Sequence, residues 1–496
     1  MNSSSPLLTD AYKFSMAQAG FPLRRETFYF SFRRGGFQHV GIDLEHAVRQ
    51  LLTGLRASEQ DAAFARAHGY GLTDAMDHAL ADASAVEIEA IPRGTWVYER
   101  EPILTITGPS FLVSWLEPML LWLNHPIQLA TELRRLDGER VPAELLTATC
   151  AAHEQLIAAV LADAGRSGEP IVREDEAYVD RVRATVRALT QEVGDPDRIF
   201  EVGMRSAVCV EQHRVALAAC KAEGVTRTSD IALARELGMI PVGTMGHEHV
   251  QRWGADLPAF QAMRDMRSAP PSYLLDTFDT MGSGIRAAVE VMRERPHPCA
   301  IRYDSGNKFI QYLHACELLH EQRLEPTHVL EDGLDLEATR HFERLRQFTG
   351  WPAHAQVYGF GGTIVAAPMS NPLTRDRVSA VFKLSSTGQQ PRMKFGNESG
   401  LGKQSVPGRP VVWRRVRGGG PIGIIGQAGE RVPEDYVLLS GNPDALEQLR
   451  LCNVLDWRRV EGIAAAQRTA ALSPGTQALI TRVRASMPRG PGTTME

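Results

Sequence analysis

Long apolar runs are missing from this 496-residue chain. Its most apolar stretch, 111–123, is broken by Glu117 and Pro118 and stops short of the ~18 residues a bilayer-crossing helix needs, so no membrane span is expected. An excess of one charge is missing too: 54 Lys and Arg face 59 Asp and Glu, a net −5. That balance offers no general electrostatic footprint for nucleic acid or a membrane surface, and an anionic ligand must be held by a local site. Cysteine is sparse: Cys150, Cys209, Cys220, Cys299, Cys316 and Cys452 lie far apart without a CxxC pair. The expectation is small buried thiols, kept reduced in a cytoplasmic protein. The opening MNSSSPLLTDAYKFSMAQAG lacks a basic start, an apolar core and a cleavage site, so secretion is not expected.

What is present is 43% apolar content over a length that suits two to four domains. Residues 1–130 carry β-branched and aromatic runs bounded by Gly and Pro (27–32 and 94–109), which predict a β-containing N-terminal domain. Residues 131–195 turn rich in Ala, Leu, Arg and Glu, predicting a helical connector or insertion. Residues 196–370 then repeat one unit, a short apolar run ending in polar residues or glycine, followed by a helical segment. The runs are 199–206, 239–248, 273–280, 299–307, 328–333 and 356–362. This rhythm predicts an α/β fold, an irregular βα barrel, as the catalytic core. Residues 371–496 return to β-like runs and are expected to pack on the N-terminal segment, the two together forming a smaller β-containing domain. The glycines 418–420 read as a loop and the last residues as a frayed tail.

In a parallel barrel, loops at the carboxyl ends of the strands converge on one point. The candidates gathered there are Arg205, His247, Asp276, Asp279, Arg302, Asp304, Asp332, Gly333, Gly361 and Gly362. GFGG at 359–362 offers backbone N–H groups unobstructed by Cβ, fit for a phosphate or for a plain tight turn. The aspartates suit ribose hydroxyls or a hydrated Mg²⁺, and each alone suits a helix N-cap. Arg205 and Arg302 suit a carboxylate or phosphate, or ordinary salt bridges. His247, in GTMGHEH, is not followed by a second histidine at 251, so the HExxH zinc signature is absent. A neutral imidazole here can still accept a phosphoryl group. GLGKQS at 400–405 lacks the phosphate-loop spacing of common ATPases.

In their order, TDAYKFSMAQAG, FEVGMRSA, TSDIALARELGMIPVGTMGHEH, LLDTFDT, IRYDSGN, VYGFGGT, PRMKFG with a following Lys, and PGRPVVWR resemble the nicotinate phosphoribosyltransferase family. The resemblance runs from about residue 7 to 415, with 130–195 less well matched. It implies transfer of phosphoribose from phosphoribosyl pyrophosphate to nicotinate, giving nicotinate mononucleotide and pyrophosphate. ATP hydrolysis is then coupled through a phosphohistidine at His247, Mg²⁺ accompanies the diphosphate, and the chain forms a head-to-tail homodimer with shared active sites. By the same resemblance Tyr12 stacks on the pyridine ring from the neighbouring subunit, with Asp10 beside it. Arg205 and Arg302 face anionic groups, Asp304 the ribose or a metal, and Gly333, Gly361 and Gly362 the phosphates; from their strand-end positions Asp276 and Asp279 are expected to bind substrate and Asp332 phosphate.

Two positions depart from the pattern. Val202 stands where relatives carry an aromatic. Asp230 stands where the nicotinate enzymes show Asn and the related nicotinamide enzymes an Asp that accepts from the carboxamide, as well as where a cap for the helix IALARELG belongs. NHPIQLAT (124–131) and NPLTRD (371–376) are similar to the nicotinamide enzymes, whereas PRMKFG…PGRPVVWR is similar to the nicotinate ones. The expectation is therefore nicotinate, with nicotinamide as the alternative. Two other classes stay open: a non-catalytic sensor of pyridine nucleotides or phosphoribosyl pyrophosphate, and a zinc-dependent hydrolase on the same barrel face.

Overall fold

The structure, a computed structural model, describes residues 5–243, 245–267, 269–366, 373–395, 404–451 and 470–486. Cys452, residues 371–372 of NPLTRD, Gly396 of PRMKFG, residues 400–403 and the tail from 487 lie outside them.

Seven short parallel strands form the centre. In chain order they are Ile199–Glu201, Arg227–Thr228, Ile240–Pro241, Ser272–Leu274, Ala300–Tyr303, Thr327–Leu330 and Gln356–Phe360. The last pairs with the first through Tyr358↔Ile199 and Phe360↔Glu201, so the sheet curls back on itself. The third and fourth strands are not paired with each other, and they form the edges of an open barrel. The expected irregular barrel is thus present, with one strand the sequence did not announce: Arg227–Thr228 has only two residues, neither of them apolar.

Helices such as Val210–Ala222, Ile285–Glu294, Lys308–Gln322 and Leu336–Thr349 cross between strands and bury apolar faces on them. Tyr273, Tyr303, Tyr312 and Tyr358 fill the barrel core, each fully buried. The helix Asp175–Val193, grouped by sequence with the connector, buries Val182, Val186, Leu189 and Val193 in this same core. Its apolar residues recur at i, i+4, i+7 and i+11, a one-sided stripe that lies against the barrel helices. The earlier connector helix Ala151–Asp163 packs instead with Asn124–Leu136 around Leu129, Leu133, Ile157 and Leu161.

A five-stranded antiparallel sheet lies across the barrel. Its order is Gln390–Pro391, Ala380–Thr387, Arg25–Phe32, Leu104–Pro109 and Glu87–Ala90. The segment 380–387 is therefore not part of a separate small sheet: it pairs directly with the first strand, Phe30 opposite Phe382. The run 410–415 goes elsewhere, into a four-stranded sheet with 423–427, 436–438 and 471–472. Strand Arg25–Phe32 is buried on both faces after its first residue, which explains its unbroken aromatic and β-branched character.

What seats this sheet on the barrel mouth is a backbone contact. Ala11 N donates to Ser229 O at 2.7 Å and Ile231 N to Thr9 O at 3.3 Å, beyond the second barrel strand. The helix Tyr12–Gln18 starts from that point. Gly243, at φ 157°, makes the approach possible, because a Cβ there would lie 2.7 Å from Tyr12 N. Below it, Lys13 is buried between Glu117 Oε2 (2.6 Å) and Glu248 Oε1 (2.8 Å). Arg252 pairs with Glu26 at 2.9 Å. These pairs tie the barrel helix His247–Trp253 to the sheet, and each ion is compensated, which buried charge requires.

Candidate active site

A cavity of about 700 Å³ lies between the sheet and the carboxyl ends of the barrel strands. Ten of the thirteen residues expected at a site line it: Asp10, Tyr12, Arg205, His247, Arg302, Asp304, Asp332, Gly333, Gly361 and Gly362. Asp230 and Asp276 are buried outside its lining, and Asp279 lies exposed away from it.

At one end stand Tyr12 and Arg205. The Tyr12 hydroxyl donates to Glu117 Oε2 at 3.0 Å, and Arg205 lies 5.7 Å from the ring centroid. Arg205 also faces Asp10 Oδ2 (3.4 Å) and Glu117 Oε1 (3.8 Å). Burial raises the Asp10 carboxyl, a pull that Arg205 and the hydroxyl of Ser229 oppose. Glu117 is held below the carboxylate range: burial opposes this, and the charges of Lys13 and Arg205 overcome it. Glu117 is thus the shared anchor of Tyr12 and Arg205. In the sequence its one trace is the interruption of an apolar run. Tyr12 stands beside Arg205 of its own chain. The backbone pairing of residues 9–11 with 229–231 brings it in. Val202 lines the cavity as an aliphatic surface, and Phe28, Phe200 and Phe382 supply aromatic surface elsewhere on the wall.

Towards the other end, His247 follows Gly246 at the start of its helix. Lys394 Nζ donates to His247 Nε2 at 2.7 Å, and Nδ1 lies 3.2 Å from Thr277 Oγ1. Burial and the Lys394 charge lower the imidazole pKa, so the ring is neutral, with its proton on Nδ1. Asp304 Oδ2 lies 3.1 Å from Nε2. Burial alone would raise Asp304, but the positive charges around it, Arg302 and Lys394, hold it well below the ordinary range. Arg302 faces Glu331 at 3.8 Å. Glu331, also on the wall, is raised by burial. Lys383 is half-buried on the cavity-lining strand, and desolvation pushes it down to about 7. Arg33, Arg34, Arg100 and Arg375 add further positive charge. Lys383 and Lys394 come from a β-like run beyond the barrel, and sequence position alone gave no reason to assign them to its mouth.

The glycine loop is a matter of space. A Cβ on Gly203 would lie 2.5 Å from Val365 Cγ2 and 2.9 Å from Gly361 O, so the loops of the first and last strands touch here. The helix Gly362–Val365 is a single turn, which leaves little of the dipole expected from a helix after GFGG. Asp332 and Gly333 both adopt left-handed backbone, at φ 59° and 63°.

Three of the expected aspartates do not line the cavity. Asp230 is fully buried. Its Oδ1 accepts from Leu233 N at 2.9 Å, capping the helix Ile231–Leu237, and its Oδ2 pairs with His213 Nδ1 at 3.0 Å. Asp279 accepts from Met281 N and Gly282 N, an N-cap like any other. Asp276 is fully buried beneath His247, hydrogen-bonded by Ser305 and 3.6 Å from Lys394 Nζ. It supports the histidine and lysine from behind.

No family profile matches the chain. Individual relatives do. A nicotinate phosphoribosyltransferase of Mycobacterium tuberculosis is 24% identical over 454 residues, 87% of this chain and 81% of that protein. One from Bacillus subtilis is 22% identical over 452 residues, 88% of this chain and 77% of that protein. The crystal structure of nicotinate phosphoribosyltransferase from Porphyromonas gingivalis superposes with a TM-score of 0.56 at 18% identity, covering 81% of this chain and 95% of that one. The resemblance read from the motifs therefore holds across most of the sequence, and the chain, with its open parallel barrel, has the fold of the nicotinate phosphoribosyltransferases and is a distant relative of them.

Proposed function

We propose that this protein transfers phosphoribose from phosphoribosyl pyrophosphate to nicotinate, forming nicotinate mononucleotide and pyrophosphate in the salvage of the pyridine for NAD. The observation that carries this reading is the joining of two unlike ends in one cavity: an aromatic ring and a guanidinium at Tyr12 and Arg205, and a cationic, glycine-bordered end around Arg302, Lys394, Gly333 and Gly361. The first suits a flat ring bearing a carboxylate, the second phosphate groups. Loss of pyrophosphate leaves positive charge on the ribose, which Asp304, ionised and on the wall, is suited to stabilise, while Lys383 and Lys394 suit the leaving group. Asp230, the residue that would have favoured nicotinamide, has its carboxylate spent on the helix cap and His213. This favours nicotinate.

ATP coupling belongs to the same proposal. A neutral His247 keeps a lone pair on Nε2, the atom that would take the γ-phosphoryl group as ADP leaves, with Lys394 beside it. His247, Asp276 and Asp304 place one donor atom each within 4.8 Å of one another. They do not fit a resident metal, because the Lys394 ammonium lies within 2.7 Å of His247 Nε2 and 3.6 Å of Asp276 Oδ2 and already supplies the positive charge there. This weighs against a zinc hydrolase, and Mg²⁺ enters as the counter-ion of the diphosphate substrate. The homodimer with shared active sites that the resemblance implies belongs to the same proposal.

The test is nucleotide formation from phosphoribosyl pyrophosphate and Mg²⁺, with nicotinate and nicotinamide compared, each with and without ATP. Nicotinate mononucleotide should form faster with ATP, and His247→Ala should abolish both the stimulation and an acid-labile phosphoryl label. Binding of both substrates without pyrophosphate release would instead favour the sensor.

A further inference from the structure

Two of the cysteines, far apart in sequence, meet in the fold. Cys150 Sγ and Cys209 Sγ lie 3.8 Å apart, although 59 residues separate them. Each precedes a 13-residue helix, Ala151–Asp163 and Val210–Ala222, so two helix N-termini meet at the sulfurs. The His153 N–H faces Cys150, and those of Glu211 and Gln212 face Cys209. The frame around the pair is cross-latched. Glu211 Oε2 accepts from Ala152 N at 2.7 Å, Gln212 Nε2 donates to Thr149 Oγ1 at 2.9 Å, and Val208 N donates to Gln212 Oε1 at 2.9 Å. Cys150 is buried and Cys209 half-buried, so one sulfur meets solvent and the other waits behind it.

We infer that Cys150 and Cys209 form an oxidisable dithiol, a modification site at which a small-molecule disulfide such as oxidised glutathione closes a Cys150–Cys209 bond. The step balances as two exchanges. Cys209 thiolate attacks one sulfur of the oxidant and expels a thiolate, which takes up a proton. Cys150, losing its proton to solvent, attacks the Cys209 sulfur of the mixed disulfide and expels the second thiol. Two electrons pass to the oxidant, which leaves as two thiols. The bond length of about 2.05 Å is reached by a movement of under about 2 Å. The Cys150 thiol, hydrogen-bonded to Cys209, favours the Cys209 thiolate, as do the helix amides.

The bond would fasten the connector helix to the loop that ends the first barrel strand. That loop carries Arg205 four residues before Cys209, and Trp122 Nε1 donates to its Met204 carbonyl at 2.7 Å. The inference does not depend on the proposed reaction.

The experiment incubates the reduced full-length protein with oxidised glutathione and maps its peptides without reduction. The expected result is a Cys150–Cys209 cross-linked peptide with the loss of two hydrogens, reversed by dithiothreitol, and a Tm raised by about 5 °C or more. Cys150→Ser should stop at one glutathione on Cys209 and gain no Tm, and Cys209→Ser should leave Cys150 unmodified. Wild-type protein that keeps both thiols free, or that carries glutathione on Cys209 without closing the bond, would overturn the inference even if the variants fail to fold.

Discussion

The ends of the second and fifth barrel strands make an instructive pair. Each is followed by an aspartate at the face where the strands open, Asp230 after Arg227–Thr228 and Asp304 after Ala300–Tyr303. Their fates are opposite. Asp230 meets a helix N-terminus and a buried histidine, and its carboxylate is consumed by the fold. Asp304 meets His247 and lines the cavity beside Arg302 and Lys394, where its charge is available to a ligand. Residue type and strand-end position do not separate a structural carboxylate from a chemical one. The neighbours that compete for its lone pairs do.

The comparison can be broken most forcefully at Asp304. Asp304→Ala should lower kcat for nicotinate mononucleotide formation by about 10²- to 10³-fold, with the unfolding midpoint little changed. A kcat within a few-fold of wild type would remove it from the chemistry. The matching substitution, Asp230→Ala, should act on the fold. It leaves His213 with only Glu201 as a charge partner (3.1 Å) and uncaps a helix, a loss of about 3–5 kcal/mol in denaturant unfolding. The ratio of kcat/KM for nicotinate over nicotinamide should stay put, and a shift in it would return Asp230 to the substrate.

The smallest effect sharpens the same contrast through pH. Burial opposes protonation of His213, but Glu201 and Asp230 overcome it and raise its pKa from 6.5 to about 10. A group raised on folding contributes stability that is fully present below its unfolded pKa and is lost as pH rises through the folded one. Thermal unfolding followed from pH 6 to pH 10 should therefore show Tm falling across that window, and His213→Gln should flatten the fall. An equal slope in both proteins would place the titration elsewhere.

Several of these features were legible in the sequence because they are local. Six of the seven barrel strands end apolar runs, and the glycines of GFGG mark a place where backbones touch. The seventh strand escaped because two polar residues carry no periodicity, and its hydrogen bonds come from neighbours already in place. The candidate aspartates at 230, 276 and 279 illustrate the same limit, since a cap, a supporting carboxylate and a ligand contact have one sequence appearance. Glu117, Lys383 and Lys394 were hidden for the opposite reason: their own segments read as a broken apolar stretch and as β-like runs beyond the barrel, and only packing carries them to the barrel mouth.

The order of the motifs, the βα rhythm and the balance of charge were determined by the sequence itself, since propensity, periodicity and composition act over a few residues. The tertiary structure alone decided that residues 9–11 pair beside the second strand and set Tyr12 above Arg205, that Lys394 meets His247, and that Cys150 faces Cys209. Each joins groups tens to hundreds of residues apart, and such contacts form only when the burial of whole surfaces offsets the entropy of closing the chain between them.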